Sequence, residues 1–352
     1  MTPLRQLLSL LILTIFLVQC GTSPKGDSAF FEILIKADQK TYTPLDTLHL
    51  AVLTKLTLKA DSIQWSAQSH SMGTVQVEGE TLSLNDWPMG NHKLQALVYT
   101  TEGPKKISKE FTVVATQKPE LYTYTILERF AHDINAYTQG LEFDGDDLYE
   151  STGQYGQSSL RKLDLIQGKV LRNEPLDHSF FAEGLTVFDN KIIQLTWREN
   201  TGLVYNKETL ELIDQFQYDK SLQGWGLCND GTLLYKSDGT QKIWRIDPKT
   251  YKELGYIEVY TDKLKIDQIN ELEWVDGKIY ANIYQKDAIA IVDPQSGAVE
   301  GVINLKGLQK EVTQHQKLDV LNGIAYNGIP GELFITGKNW DQIFKLKVDK
   351  KQ

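Results

Sequence analysis

A polar or aromatic residue stands at the start of each of five similar strand patterns in the second half of this 352-residue sequence: Gln139, Glu183, Trp225, Asn270 and Asn322. Flat apolar walls combined with a few convergent polar groups are typical of a site for a small polar ligand. Glu183 is the sharpest candidate. It follows Phe180 and Phe181, and desolvation by such neighbours would raise its pKa and suit it to proton transfer near neutral pH. The alternative is a carboxylate that only caps nearby backbone N–H groups.

A second set of candidates stands where each pattern ends. Every pattern contains a tight turn followed by a second strand, and the second strands end at Thr152, Trp197, Asp238, Tyr284 and Lys338. In a hairpin, the start of the first strand and the end of the second lie at the same end. All ten positions should therefore surround one opening. There Lys338 could neutralise Glu183 or polarise a carbonyl group, unless it is simply a solvated lysine at a turn.

The repeated pattern also predicts the fold that brings these residues together. Gly140, Gly184, Gly226, Glu271 and Gly323 occupy equivalent positions in it. They recur at intervals of roughly 40–50 residues, a period that is typical of β-propellers when the repeats consist of short strands. Five repeats predict five blades around one axis, so that residues far apart in sequence can line one pocket.

The ends of the propeller can be placed as well. The strand-like segment 122–130 precedes the first repeat, and we expect it to pair with the C-terminal strand 342–348 and close the ring. Segment 306–319 is more helix-like, because Leu308, Val312 and Gln316 are spaced by four.

Residues 29–115 differ from the rest of the chain. They contain alternating strand patterns separated by turn residues, which suit a small antiparallel sandwich of the immunoglobulin type. The predicted fold is all-β: an immunoglobulin-like β-sandwich at 29–115, a linker at 116–121, and a five-bladed β-propeller at 122–348.

The N-terminus predicts export. Residues 1–19 contain Arg5 followed by a short apolar run, as a signal peptide does. The run ends at Cys20, in a context that resembles a bacterial lipoprotein cleavage box. We expect Cys20 to be lipidated, residues 20–28 to form a tether, and the protein to be an exported, membrane-anchored lipoprotein of the bacterial cell envelope. An ordinary signal peptide with nearby cleavage is the alternative.

Composition narrows the chemistry further. The formal net charge is −9 and no Lys/Arg block is present, so we expect no nucleic-acid partner. Cys228 is the one cysteine besides Cys20, and its apolar context favours a small buried core residue over a nucleophile.

From about His132 to Lys347 the sequence resembles the plant-type glutaminyl cyclases (glutaminyl-peptide cyclotransferases), a family of five-bladed propellers. The resemblance does not extend into the N-terminal domain. It is carried, in order, by the segments YTQGLEF, LYESTGQYGQSSLRKLDL, FAEGLT, GWGLCNDGTLLYKSDGT, INELEWVDGKIYANIYQKD and LNGIAY with ITGKNW. Several such stretches in order are far more specific than one short motif.

The resemblance implies roles for individual residues. The family's catalytic glutamate matches Glu183, and its other functional positions match Tyr137, Gln139, Phe181, Trp197, Trp225, Asn270 and Lys338. Two aromatic residues depart from the family pattern: Tyr137 stands where phenylalanine is usual, and Tyr284 where tryptophan is usual. Both keep an aromatic wall, so the departures bear on substrate preference more than on chemistry.

The implied activity converts N-terminal glutaminyl residues of peptides or proteins to pyroglutamyl residues and releases ammonia. Glu183 would act as general acid and base, and Lys338, with Asn270 or Gln139, would stabilise the oxyanion. Phe181, Trp197, Trp225 and Tyr284 would exclude water and hold one substrate rotamer. The sequence contains no cluster of histidines or cysteines, so we expect no catalytic metal. A structural calcium ion held by backbone carbonyls in the channel would leave no sequence signal.

Two other functions fit the same opening. One is a non-catalytic propeller that binds a peptide or a glycan of the cell envelope. The other is a metal-dependent lactonase, in which Glu183, Asn270, Asn322 and Asp238 would converge on a cation. Lys338 and the aromatic residues argue against a cation at that place.

Overall fold

The computed structural model describes residues 26–36, 39–67, 70–75 and 79–351, and of residues 70–75 it describes the backbone alone. In this part of the chain, 28 β-strands are accompanied by two 3₁₀-helices, η1 (Asp27–Ala29) and η2 (Leu308–Glu311), and by no α-helix. The prediction of an all-β fold is confirmed. The predicted signal peptide and Cys20 lie outside the described residues. No helix among the described residues is long and apolar enough to cross a membrane.

The first eight strands form two sheets. They are β1 (Phe31–Ile35), β2 (Thr41–Tyr42), β3 (Thr47–Thr54), β4 (Ser62–Ala67), β5 (His70–Val75), β6 (Glu80–Ser83), β7 (Gly90–Tyr99) and β8 (Lys105–Val113). One sheet has the order β1-β3-β6 and the other β2-β8-β7-β4-β5. Buried and exposed residues alternate along β1 and β7, as expected of strands with one covered face. The inward residues of both sheets belong to one hydrophobic cluster that includes Phe31, Leu50, Trp65 and Leu94.

The sixteen strands that follow β9 (Glu120–Ala131) form four four-stranded antiparallel units in chain order. The first three units are separate sheets. They consist of β10 (Thr138–Asp144), β11 (Asp147–Thr152), β12 (Ser159–Asp164) and β13 (Lys169–Pro175); β14 (Ala182–Phe188), β15 (Lys191–Thr196), β16 (Thr201–Asn206) and β17 (Leu212–Gln217); and β18 (Leu227–Asn229), β19 (Leu234–Ser237), β20 (Lys242–Ile246) and β21 (Glu253–Glu258).

The remaining strands belong to one eight-stranded sheet. They are β22 (Ile269–Val275), β23 (Lys278–Ile283), β24 (Ala288–Val292), β25 (Val299–Asn304), β26 (Leu321–Ala325), β27 (Glu332–Gly337) and β28 (Gln342–Lys350), joined by β9 in the order β22-β23-β24-β25-β9-β28-β27-β26. The predicted pairing of the two terminal strands is confirmed, since β9 runs antiparallel to β28 from Ala131↔Gln342 to Tyr122↔Lys350. A short parallel pairing of β9 with β25 joins the two halves of the sheet.

The repeated glycines of the first three units, Gly140, Gly184 and Gly226, lie against the backbone of the first strand of the next unit. A Cβ atom on Gly184 would fall 2.6 Å from the backbone nitrogen of Leu227, and one on Gly226 would fall 2.1 Å from the carbonyl oxygen of Asn270. Only glycine permits such an approach. The equivalent residue in the fourth unit is Glu271, and its carboxylate accepts a hydrogen bond from the backbone N–H of Ile324 in the next first strand.

Two details differ from the sequence predictions or refine them. Segment 306–319 is not helical beyond the single turn η2, because the backbone is already extended at Val312 and Thr313 is bound through its backbone and its hydroxyl to the carboxylate of Asp341. Strand β9 begins at Glu120, within the segment that the sequence assigns to the linker. Cys228 is buried and packs in a hydrophobic cluster, as predicted.

Candidate functional site

One cavity of about 230 Å³ brings together all nine residues that the sequence assigns to catalysis or substrate binding. Its lining consists of Tyr137, Gln139, Gln154, Phe181, Glu183, Trp197, Trp225, Asn270, Tyr284 and Lys338. These residues come from all five repeats. Gln154 is the one lining residue that the sequence did not single out.

β-bulges place the polar residues in this cavity. In β10, Thr138 pairs with Thr152 but Gly140 pairs with Ser151, so that Gln139 is the extra residue. The register shifts in the same way in β14, across Glu183, and in β22, across Asn270. A bulge redirects a side chain that the regular alternation of a strand would point elsewhere. The repeated bulge therefore turns one polar side chain of each of these strands towards the cavity.

Glu183 is almost completely enclosed, with 5% of its surface exposed. Burial raises the pKa of its carboxyl group well above the ordinary value; the positive charge of Lys338 opposes this shift and the negative charge of Glu199 adds to it. No hydrogen bond from the described part of the chain reaches the carboxylate, so the cap predicted as an alternative for Glu183 is absent there. Its oxygens remain available to a ligand.

Lys338 is also buried, with 4% of its surface exposed. Its ammonium group lies 4.8 Å from the ring centre of Tyr137 and 5.4 Å from that of Tyr284. Burial lowers the pKa of Lys338, while the charges of Glu183 and Asp319 counteract that shift. Lys338 is therefore not a solvated lysine at a turn. Two aromatic faces stabilise its charge without occupying its N–H groups.

The amide groups of the cavity retain unused hydrogen-bonding capacity. The Nδ2 group of Asn322 donates to the Oε1 atom of Gln139 at 3.1 Å, which fixes the side chain of Gln139 and leaves its own amide nitrogen without an acceptor among the described residues. Asn270 is buried, and its Oδ1 atom has no partner in that part of the chain. Unpartnered buried polar atoms are costly unless a ligand or water satisfies them. Their presence in this cavity fits a polar ligand.

The aromatic walls contact one another in two groups. Phe181 packs against Trp197, with ring centres 5.5 Å apart, and against Tyr137 at 6.2 Å. Trp225 meets Tyr284 edge to face at 5.7 Å. The hydroxyl of Tyr137 donates to Asp319 at 2.9 Å, which holds this ring beneath Lys338. Contacts within the protein therefore hold the walls in place.

A single residue holds both tryptophans. The indole N–H groups of Trp197 and Trp225 each donate to the Oε1 atom of Gln223 at 2.9 Å. The loop before Gln223 is fixed in turn by Glu253, whose carboxylate accepts from the backbone N–H groups of Lys220 and Ser221. A completely buried ion pair between Glu253 and Lys236, at 2.9 Å, anchors this arrangement.

Three of the ten residues predicted to surround the opening do not line the cavity. Asn322 lies behind Gln139, Thr152 lines a neighbouring cavity, and Asp238 accepts a hydrogen bond from the indole of Trp244. Within the described ranges, no group of three or more His, Cys, Asp or Glu side chains is arranged to hold a metal ion.

Comparisons with known proteins agree with this geometry. The sequence model of the glutamine cyclotransferase family matches residues 95–348, so the match begins within β7, earlier than the sequence segments suggested. A glutaminyl-peptide cyclotransferase of Arabidopsis thaliana is 39% identical over 226 residues, which is 63% of this chain and 70% of the relative. The crystal structure of Myxococcus xanthus glutaminyl cyclase superposes with a TM-score of 0.62 and 32% identity, over 67% of this chain and all of the other. The match to the family model spans more than half of the chain and includes every residue of the cavity, and on this basis the chain belongs to the glutamine cyclotransferase family.

Proposed function

We propose that this protein is a glutaminyl-peptide cyclotransferase, which converts N-terminal glutaminyl residues of peptides or proteins to pyroglutamyl residues and releases ammonia. The observation that carries the proposal is that a buried carboxylate without a hydrogen-bond partner among the described residues, Glu183, and a buried cation, Lys338, line the same aromatic-walled cavity. The membership in the glutamine cyclotransferase family supports the same activity.

The reaction closes a ring within one residue. The neutral α-amine attacks the carbon of the γ-carboxamide, a C–N bond forms, and the bond from that carbon to the side-chain nitrogen breaks. An unperturbed α-amine has a pKa of about 7.7–8.0, so the neutral form is accessible near neutral pH. Because both reacting groups belong to one residue, restraining a single rotamer supplies much of the acceleration. The walls formed by Phe181, Trp197, Trp225 and Tyr284 would provide that restraint.

Glu183 would move the proton. As the amine attacks, it loses one proton to the carboxylate, and Glu183 then delivers that proton to the departing nitrogen, which leaves as ammonia. An amide nitrogen is a poor leaving group until it is protonated. Burial raises the pKa of Glu183 from its ordinary acidic value, and this favours the proton uptake that the double role requires.

Lys338 would stabilise the oxyanion of the tetrahedral intermediate, together with the amide of Asn270 or Gln139. A charge placed in a water-poor cavity before the reaction begins is far more effective than one in solvent. The aromatic rings on Lys338 keep its donors free for that oxygen.

We also propose a number of propeller blades and a type for the N-terminal domain. The three four-stranded sheets, strands β22–β25 and the set β26-β27-β28-β9 would be five blades of one propeller at 122–348. The two N-terminal sheets would form an immunoglobulin-like sandwich at 29–115, with 116–121 as a linker. The shared hydrophobic cluster of those two sheets supports the sandwich.

The chemistry proposed here uses side chains and no metal ion. Two other functions fit the cavity less well. A non-catalytic binding propeller would not need an enclosed carboxylate beside a cation, and a lactonase cation would be repelled by Lys338. The calcium ion in the channel stays a prediction.

One assay separates these functions. The purified protein is incubated with the amidated dipeptide Gln-Ala in the presence of a chelator, and ammonia release and the pyroglutamyl product are measured together. We expect equal amounts of both, unaffected by the chelator. Binding without ammonia release would favour the binding propeller, and turnover lost with the chelator and restored by a divalent cation would favour metal-dependent chemistry.

The location of the protein is a separate part of the proposal. We infer an exported lipoprotein of the bacterial cell envelope, anchored through Cys20, because the short apolar run of the N-terminus ends at that residue. Cys20→Ser should move the protein from the membrane fraction to the soluble fraction. A variant that still sediments with membranes, or a wild-type protein without acyl groups by intact mass, would contradict the anchor.

A further inference from the structure

A second, larger cavity adjoins the candidate active site. Its volume is about 460 Å³, and its lining consists of Asn135, Tyr137, Thr152, Gly153, Gln154, Gln157, Arg161, Lys317 and Asn339. Tyr137 and Gln154 line both cavities, so the two spaces meet at these side chains. A peptide whose first residue fills the smaller cavity has a way out through the larger one.

Gln154, where the two cavities meet, also has an unusual backbone conformation. Its φ angle of 97° lies in a region that residues other than glycine seldom adopt. The carbonyl of Gln154 holds this conformation, since it accepts hydrogen bonds from the backbone of Gln157 and from the hydroxyl of Ser158. Such strain is concentrated at ligand sites. The side chain of Gln154 has no hydrogen-bond partner among the described residues and is free to contact a peptide.

The charged side chains that line the larger cavity are all cationic. No carboxylate lines it, and two cations do. Arg161 is already neutralised, because its guanidinium lies 3.1 Å from Asp133 and 3.7 Å from Glu150. Lys317 is exposed and makes no ion pair within the described ranges. Lys317 is therefore the cation of this cavity that is available to bind an acidic group of a ligand.

We propose that this second cavity is the subsite for the second and third residues of a glutaminyl peptide, and that Lys317 makes it favour acidic side chains there. The inference rests on the proposed function. An extended chain advances about 3.3–3.6 Å per residue, so a cavity next to the reacting residue is reached by the next residues in the peptide. The preferred substrates are then peptides that begin with glutamine and continue with aspartate or glutamate.

The test compares peptides that differ only in charge. Amidated Gln-Ala-Glu is measured against amidated Gln-Ala-Gln, and amidated Gln-Glu-Ala against amidated Gln-Gln-Ala. For at least one pair we expect kcat/KM to be about two- to fivefold higher for the acidic peptide, the size of an exposed ion pair. Higher salt should reduce this preference.

Two variants assign the preference to the cavity. In Lys317→Gln, the ratio of the acidic to the neutral peptide should fall to about one. Lys310→Gln removes another exposed lysine that lies outside both cavities, and it should keep the wild-type ratio.

The outcomes distinguish this subsite from the underlying activity. Efficient turnover of the neutral peptides without any acidic preference overturns the subsite and leaves the cyclotransferase intact, and so does an acidic preference that survives in Lys317→Gln. Failure to release ammonia from any of the four peptides overturns the proposed function and the subsite with it.

Discussion

Trp197 and Trp225, which flank strands of two different sheets, donate their indole N–H groups to the same oxygen atom, Oε1 of Gln223. The two walls of the cavity are thereby set at one fixed spacing. In the proposed reaction, such an arrangement would restrain the glutaminyl side chain more tightly than two independently mobile rings would. Gln223 does not line the cavity, so it acts on a substrate only through the tryptophans.

Replacement of Gln223 should loosen both walls at once. In Gln223→Leu, two indole N–H groups lose their acceptor, and each lost hydrogen bond reduces the free energy of unfolding by about 0.5–1.5 kcal/mol. We expect kcat/KM for a glutaminyl peptide to fall about tenfold, with contributions from both KM and kcat, and the tryptophan fluorescence to change. Gln215→Leu alters an exposed glutamine on β17 and serves as the matched control. Unchanged kinetics in Gln223→Leu would show that the shared acceptor does not position the walls.

Lys338 should govern the alkaline limb of the pH profile. Its pKa is lowered by burial, so the ammonium is lost at a lower pH than in an exposed lysine. If the cation stabilises the oxyanion, kcat declines as pH rises through this pKa. Lys338→Met should reduce kcat by about 10²–10³-fold at all pH values with a smaller effect on KM.

Lys338→Arg provides the control on charge. Arginine stays protonated throughout the accessible pH range, so any activity that it retains should extend to higher pH than that of the wild type. An alkaline limb that is identical in wild type and Lys338→Arg would assign the titration to another group, such as the substrate amine.

Glu142 should make the fold less stable at high pH. Burial raises the pKa of its carboxyl group to about 8, although hydrogen bonds from Thr186 and Val187 oppose the shift. In the unfolded chain the same group ionises near its ordinary value of 4.5. The native state therefore keeps a proton that the unfolded chain releases, and the free energy of unfolding declines as pH rises from about 4.5 to about 8.

Glu142→Gln removes this decline, because glutamine does not titrate. The substitution breaks no hydrogen bond at Oε2, since that atom has no partner among the described residues. We compare the free energy of unfolding of the variant with that of the wild type at pH 5 and at pH 9. The difference, variant minus wild type, should be larger at pH 9 by at least about 1 kcal/mol, which corresponds to roughly one pKa unit. Denaturant unfolding at both pH values measures it. Asp146→Asn, in an exposed turn, is the control and should show no such change. Equal pH dependence in Glu142→Gln and wild type would contradict the assignment.

The repeated pattern predicted the all-β fold and seven of the ten residues that line the cavity, because residues at equivalent points of each repeat are brought to equivalent points in space. Tyr137 and Phe181 were assigned through the family resemblance. Gln139, Glu183 and Asn270 share one place in the repeat and share one β-bulge in the structure. Their convergence did not need any knowledge of long-range contacts.

Two residues outside the strands of the repeat were not identified from the sequence. Gln154 and Gln223 lie in loops, where no periodic signal identifies them, and their roles depend on a strained backbone and on a shared hydrogen bond. The helix predicted at 306–319 failed because the spacing of Leu308 and Val312 reflects burial against the sheet, whereas Thr313 is bound to Asp341 in an extended segment.

The most direct test of the account is Glu183→Gln. The variant keeps the volume of the side chain and removes its ability to shuttle a proton. Ammonia release from amidated Gln-Ala should fall by at least about 10²–10⁴-fold, the range typical of a general acid or base. Peptide affinity, measured by quenching of tryptophan fluorescence, should stay close to that of the wild type. Near-wild-type ammonia release by a correctly folded Glu183→Gln protein would contradict the central claim that Glu183 carries the proton.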